Sequence, residues 1–160
     1  FNKVDVGYLQ DMRVHHEQAV TMAILYVMSA QGTDATLREI AREIIVDQSI
    51  DNGRMIQLLR IFHKPEANET DIGMDWMGMP SPLEEMPGMA TDVELRELAK
   101  ATGTDADNLF IDLMKAHHEG GIHMAEFAMH NAINDEVVKM ATATVNAQQS
   151  EIIDLEKHRK

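Results

Sequence analysis

The sequence predicts an all-α protein: a four-helix bundle of two duplicated helical hairpins, joined by a long methionine-rich crossover and a short extra helix. Three observations predict it. One segment occurs twice, at Asp11–Ala23 and Leu113–Ala125, where Met12, His15, His16, Glu17, Met22 and Ala23 match Met114, His117, His118, Glu119, Met124 and Ala125. A second match follows each, Ala41, Gln48 and Asp51 against Ala141, Gln148 and Glu151, so the repeated unit is a pair of helices. Aromatic residues make up only 4% of the 160 positions while Ala, Met, Leu, Ile and Glu are plentiful, a balance that favours helices over a β-sandwich.

The elements follow in order. The first His-bearing helix should run from about Asp5 to Ala30, where Gln31-Gly32-Thr33-Asp34 supplies a break and a new N-cap. In the next stretch, Ala35 to Phe62, residues Leu37, Ile40, Ala41, Ile44, Ile45, Gln48, Met55, Leu58 and Leu59 recur at intervals of three and four, the period of an amphipathic helix. Lys64-Pro65 ends it. Thr91-Asp-Val-Glu94 is a capping box that opens a short helix to Thr102, and Gly103-Thr104-Asp105 then caps the second His-bearing helix, which should reach Asn131. Asn134 caps the last helix, running toward Lys160. The chain is thus expected to form one domain over 1–160, with a first repeat at 5–62, a connection at 63–90, a short helix at 91–102 and a second repeat at 105–160. Each hairpin has one apolar face that needs the other, which implies a pseudo-two-fold axis. The Pro- and Gly-punctuated connection lacks helical periodicity and is expected to be mobile, and its Asn68-Glu-Thr70 sequon is expected to be exposed.

Charge and composition exclude several functions. The net charge of −13, with no basic stripe, argues against nucleic acid, and no apolar run approaches the roughly 20 residues of a membrane span. Zero cysteine removes disulfides, thiolate nucleophiles and thiolate metal sites together. With neither a start methionine nor a signal segment ahead of Phe1, the chain reads as mature or trimmed. What stands out is 13 Met and 8 His, both clustered.

At about 100° per residue, Met12, His15, His16, Met22 and Ala23 share one broad face around Ala19, and Met114, His117, His118, Met124 and Ala125 share the matching face around Gly121. These faces should look inward, with His16 and His118 near one another and Ala19 and Gly120-Gly121 allowing close helix approach. Neutral imidazole with thioether is a soft donor set suited to Cu(I), and imidazole also suits Cu(II) and Zn(II). The plainer reading makes the methionines core filler and the histidines structural. Gln48, Asp51, Gln148 and Glu151 on the partner helices would orient imidazole N–H groups, or serve as ordinary polar residues. A further stripe, Glu119, His123, Glu126 and His130, occurs only in the second half; it is either a solvated face or an exposed zinc or Cu(II) site. In the connection, Met74, Met77, Met79, Met86 and Met89 surround Trp76 as a copper-capturing segment or as a flap packed on the bundle.

The duplicated Met-x-x-His-His-Glu segment, the Gln-x-x-Asp/Glu spacing at Gln48–Asp51 and Gln148–Glu151, and Pro87-Gly-Met-Ala-Thr91 before the capped helix resemble the bacterial domain of unknown function 305 family. The resemblance covers nearly the whole chain. It implies a ferritin-like four-helix fold, a secreted, periplasmic or envelope setting, and a link with copper seen in some members. Two positions break the repeat: Leu155 stands opposite Met55, and Gly120 opposite Gln18. The reading that results is a non-enzymatic copper-binding or copper-sequestering protein, with the metal ion as its partner. The alternatives are a helical interaction module with structural histidines and a ferritin-like metal-dependent oxidase. A di-iron oxidase needs inward Glu-x-x-His pairs, and no Glu-x-x-His occurs in the chain.

Overall fold

The computed structural model describes residues 1–160. Helices α1 (Lys3–Met28), α2 (Ala35–Ile61), α4 (Gly103–Asn131) and α5 (Asp135–Glu156) form the bundle, and α3 (Asp92–Lys100) is the short extra helix. Their starts follow from capping. Asn2 and Asp5 make a reciprocal box at α1, Thr91 and Glu94 make one at α3, and Asn134 accepts from Glu136 N and Val137 N at α5. The ends differ slightly from expectation. α1 stops at Met28, two residues early, and α5 stops at Glu156 because Lys160 folds back, its N–H donating to Asn108 Oδ1 and its ammonium 3.3 Å from Asp107.

α1 and α4 run antiparallel along the centre: Tyr26 stacks on Phe110 at one end, His15 on His117 in the middle, and Asn2 bonds Asn131 O at the other. α2 packs on α1 and α5 on α4. Two buried aspartates hold the seam at its ends, at positions equivalent in the repeat. Asp107 accepts from Tyr26 O–H (2.6 Å), Thr33 N–H (3.0 Å) and Thr33 O–H (2.8 Å), pinning the α1–α2 turn. Asp5 accepts from the N–H groups of Ile133 (3.2 Å) and Asn134 (3.0 Å), pinning the α4–α5 turn. Each supplies the acceptor that turn N–H groups beside a core would otherwise lack.

The connection takes the form of a flap packed on the bundle. It folds into a two-residue hairpin, β1 (Ile72–Gly73) with β2 (Ser81–Pro82), around short 3₁₀ turns at Asp75–Met77 and Leu83–Glu85. Trp76, Met74, Met77 and Met86 are buried in the same core cluster as Tyr8, Leu9 and Met12, and Trp76 meets Tyr8 and Phe127 edge-on. The physical reason is Asp11 on α1. Its buried carboxylate accepts from Met74 N–H (2.7 Å), Trp76 Nε1–H (2.7 Å) and Asn68 Nδ2–H (2.8 Å), and so holds Met74 in a left-handed conformation (φ 62°) that otherwise costs about 1 kcal/mol. The sequon stretch is exposed at Glu69 and Thr70, as expected, while the Asn68 amide, engaged with Asp11 and with Ile72 O (2.8 Å), is half-exposed.

The small residues of α4 serve the connection and α5 as well as the seam. A Cβ at Gly120 would collide with the Pro87 carbonyl, and one at Gly121 with the Gln148 amide. Close approach at the glycine pair is therefore to Pro87 and Gln148, not to α1 as the sequence implied. Gln18, the counterpart of Gly120, donates to Ala90 O (2.9 Å) and accepts from Ala90 N–H (2.6 Å).

Replacing Asp11 with Ala is expected to leave the Trp76 and Met74 N–H groups unpaired and to cost about 2–4 kcal/mol. Urea unfolding should show the loss, and limited proteolysis should cut within residues 63–90. An unchanged urea midpoint would show that apolar packing alone holds the connection.

Candidate metal centre

The repeated motif places His15 and His16 on α1 opposite His117 and His118 on α4, near the middle of the bundle. All four are no more than 1% exposed. The rings of His15 and His117 lie 3.7 Å apart, and those of His117 and His118 6.3 Å apart. The methionines sort to either side. Met12 and Met124 belong to one half of the core with Tyr8, Leu9 and Trp76, while Met22 and Met114 belong to the other with Tyr26 and Phe110. Along the seam the order is therefore aromatic, thioether, imidazole, thioether, aromatic.

Hydrogen bonding fixes two tautomers. A carbonyl can only accept, so His15 donates through Nε2–H to Pro87 O (3.0 Å). His118 donates through Nε2–H to the Glu151 carboxylate (2.5 Å). His15 is thereby left with the lone pair on Nδ1, and Nδ1 of His15, His16 and His118 is buried and without a partner. His117 has no partner on either nitrogen. Gln48 Oε1 and both amide atoms of Gln148 are likewise buried and unpaired. Of the polar residues expected to orient the imidazoles, Glu151 does so, while Asp51 is 3.0 Å from Arg54 and lies beside the cluster.

Burial makes His15, His16 and His117 neutral. Desolvation, reinforced by the neighbouring rings, pushes His16 down to about 3 and holds His117 well below the ordinary value of 6.5. Desolvation also lowers His15, to about 4, against the Pro87 carbonyl bond that favours its charged form. Neutral imidazole is the protonation state that binds a metal. No three His, Asp or Glu side chains already converge on one point. The donor atoms that fit a metal are instead unpaired imidazole nitrogens flanked by buried thioethers, a soft and uncharged set.

The other predicted residues lie elsewhere. Glu119, His123, Glu126 and His130 are exposed along α4, with the His130 ring tied at Nδ1 to Glu126 O (2.7 Å). In the connection, Met74 and Met77 are core residues at 2% and 8% exposure; Met79, at 50%, has its side chain in solvent. Sequence reasoning missed Asp5, Asp11 and Asp107. Asp5 and Asp107 obey the same offset as His15 and His117, a signal that was available outside the matched motif.

The sequence profile of the domain of unknown function family DUF305 matches residues 5–159. A DUF305 protein from Streptomyces coelicolor, described as secreted, is similar over 95% of this chain and 89% of its own, at 35% identity and a TM-score of 0.86. A DUF305 fragment from Deinococcus radiodurans is similar over 98% and 95%, at 25% identity and 0.82. CopM in its Cu(I)-bound form is similar over 96% and 93%, at 25% identity and 0.69. No functionally curated protein matches the sequence, and no helix is long and apolar enough to cross a membrane.

The buried imidazoles make stability pH-dependent. Because their folded-state pKa lies below the unfolded value, the unfolded chain takes up protons first as pH falls below about 6.5. The stability of the metal-free protein should therefore be fullest above 6.5 and drain away as pH approaches 4 for His15 and 3 for His16. The drop of His15 from 6.5 to about 4 is worth on the order of 3 kcal/mol, large against a total of roughly 5–15 kcal/mol. Urea midpoints between pH 7 and 4.5 should fall steeply for wild type and less so for His16→Leu. Parallel curves would show that His16 contributes nothing to the acid sensitivity.

Proposed function

The chain belongs to the DUF305 family, and on that premise we propose that it is a non-enzymatic copper-binding protein that holds Cu(I) at the α1–α4 seam. The observation that carries the proposal is the set of four desolvated imidazoles with unpaired ring nitrogens, flanked on both sides by buried thioethers. His15, His16, His117 and His118 supply the nitrogens; Met12 and Met124 on one side and Met22 and Met114 on the other supply the sulfurs. A bound Cu(I) ion would satisfy nitrogen lone pairs whose burial without a partner otherwise costs roughly 1–3 kcal/mol each. Glu151 and the Pro87 carbonyl act behind the ligands, aiming Nδ1 of His118 and His15. CopM, a structural relative known in Cu(I)-, Cu(II)- and Ag-bound forms, supports a soft metal ion such as copper, and the relative from Streptomyces coelicolor supports an extracytoplasmic setting.

An anaerobic Cu(I) competition titration against a chromophoric chelator tests the proposal. Wild type should bind copper. The near-isosteric pair Met12→Leu/Met114→Leu, which costs the fold little, should weaken binding, and Glu151→Gln, which loosens the His118 tautomer, should weaken it by roughly 10–100-fold. Wild type that leaves the chelator fully loaded would return the histidines to a structural role in a helical interaction module.

A further inference from the structure

We propose that the cleft between α2 and α5 is the entrance by which a metal cation reaches the buried imidazoles; the inference rests on the copper reading above. The cluster has two sides. Toward the connection it is sealed by backbone: Pro87 O and Gly88 press against Gly120 and the Ala116–His117 backbone, and His15 is bonded to Pro87 O. On the other side a cleft of about 40 Å³ opens between α2 and α5, against the roughly 10–15 Å³ that a water-sized species needs. Buried His16 forms its floor, Gln48 and Gln148 its walls, and Asp47, Asp51 and Glu151 surround the mouth.

Two independent features point to a cation passing through. The first is charge. Three carboxylates face one another across the cleft with Arg54 the cation bonded to Asp51, and burial, together with the charges of Asp47 and Glu151, raises the pKa of Asp51. Such a mouth concentrates cations and focuses their approach. The second is the unpaired amides. Gln148 is 1% exposed and Gln48 4%, yet Gln48 Oε1 and both polar atoms of Gln148 find no partner. Both side chains line the same cleft as His16 and the three carboxylates, so their amides can replace water around an ion as it sheds hydration. Gly121 is needed for this, because a Cβ there would occupy the position of the Gln148 carbonyl. Glu151 borders the mouth and bonds His118, linking the entrance to the cluster.

The test uses the reversibility of a single route: an obstacle in it slows entry and exit together and leaves the equilibrium unchanged. Ala147 lines the cleft and is exposed, so Ala147→Trp narrows the mouth without disturbing the core. Cu(I)-loaded protein mixed with a large excess of chromophoric chelator reports the first-order exit rate. It should fall roughly tenfold in Ala147→Trp, with the competition-derived affinity unchanged. In a separate arm, Asp47→Lys should slow uptake of aqueous Ag(I) by roughly tenfold at low ionic strength, and less in salt. Unchanged exit from Ala147→Trp, with wild-type copper binding intact, would overturn the route and leave the copper reading standing. Failure of wild type to bind Cu(I) at all would overturn both. Faster exit from Asp11→Ala, combined with no effect of Ala147→Trp, would assign the route to the connection instead.

Discussion

The structure depends on burying four imidazoles where α1 crosses α4. A buried imidazole nitrogen with no partner is costly, and here His15, His16, His117 and His118 each leave at least one. The surrounding architecture has to supply the compensating stability, and it does so at the ends of the seam. Tyr26 stacks on Phe110 with ring centroids 4.3 Å apart, and Asp107 and Asp5 each tie the turn of the opposite hairpin to the helix they stand on. The hairpins are thereby cross-pinned at both ends while ring nitrogens in the middle stay unpaired.

Two departures from two-fold symmetry, Gln18 opposite Gly120 and the unequal bonding of His15 and His117, have a single cause. One connection must cross the seam, and it can cross only one side. Gln18 grips the Ala90 backbone through both amide atoms, whereas its counterpart Gly120 clears space for the Pro87 carbonyl. A glutamine in both halves would obstruct the crossing, and a glycine in both would lose the grip. The bond from His15 to Pro87 O follows from the same crossing, and the equivalent ring on α4, His117, has no such partner. The duplicated histidines therefore differ chemically: His15 is aimed by the connection, His118 by a carboxylate on α5, and His117 by neither.

Much of this was legible in the sequence. The helices were readable because their caps and apolar spacing are local properties, and the facing of the two His-His pairs followed from a repeat with a constant register. The connection was not, because Pro and Gly remove the periodicity from which burial is inferred, and a methionine looks the same as filler or as ligand. What orders the connection is Asp11, a charged residue one position before the repeated motif, whose three bonds reach Asn68, Met74 and Trp76 far along the chain. Nothing short of tertiary structure pairs those residues. Asp5 and Asp107 were recoverable in principle, since they keep the offset of the repeat, but a lone aspartate on a helix ordinarily reads as surface.

The electrostatics of the cluster also bear on which ion it suits. The cost of moving an ion out of water rises with the square of its charge, and in a dry interior only counter-charge or strong donors offset it. Three neutral imidazoles, those of His15, His16 and His117, and four thioethers bring no charge, and the one carboxylate bonded to the cluster, Glu151, is committed to His118 Nε2–H. A divalent ion would therefore enter with little neutralisation, whereas a univalent soft ion loses less hydration and gains sulfur donors that need no deprotonation. On the proposed copper reading, a set rich in sulfur and poor in charge is the reason to assign Cu(I). The acidic residues Asp47 and Asp51 sit outside, at the mouth, where they attract a cation without holding it. Attraction and retention are thus separated in space: oxygen and charge at the surface, nitrogen and sulfur in the interior.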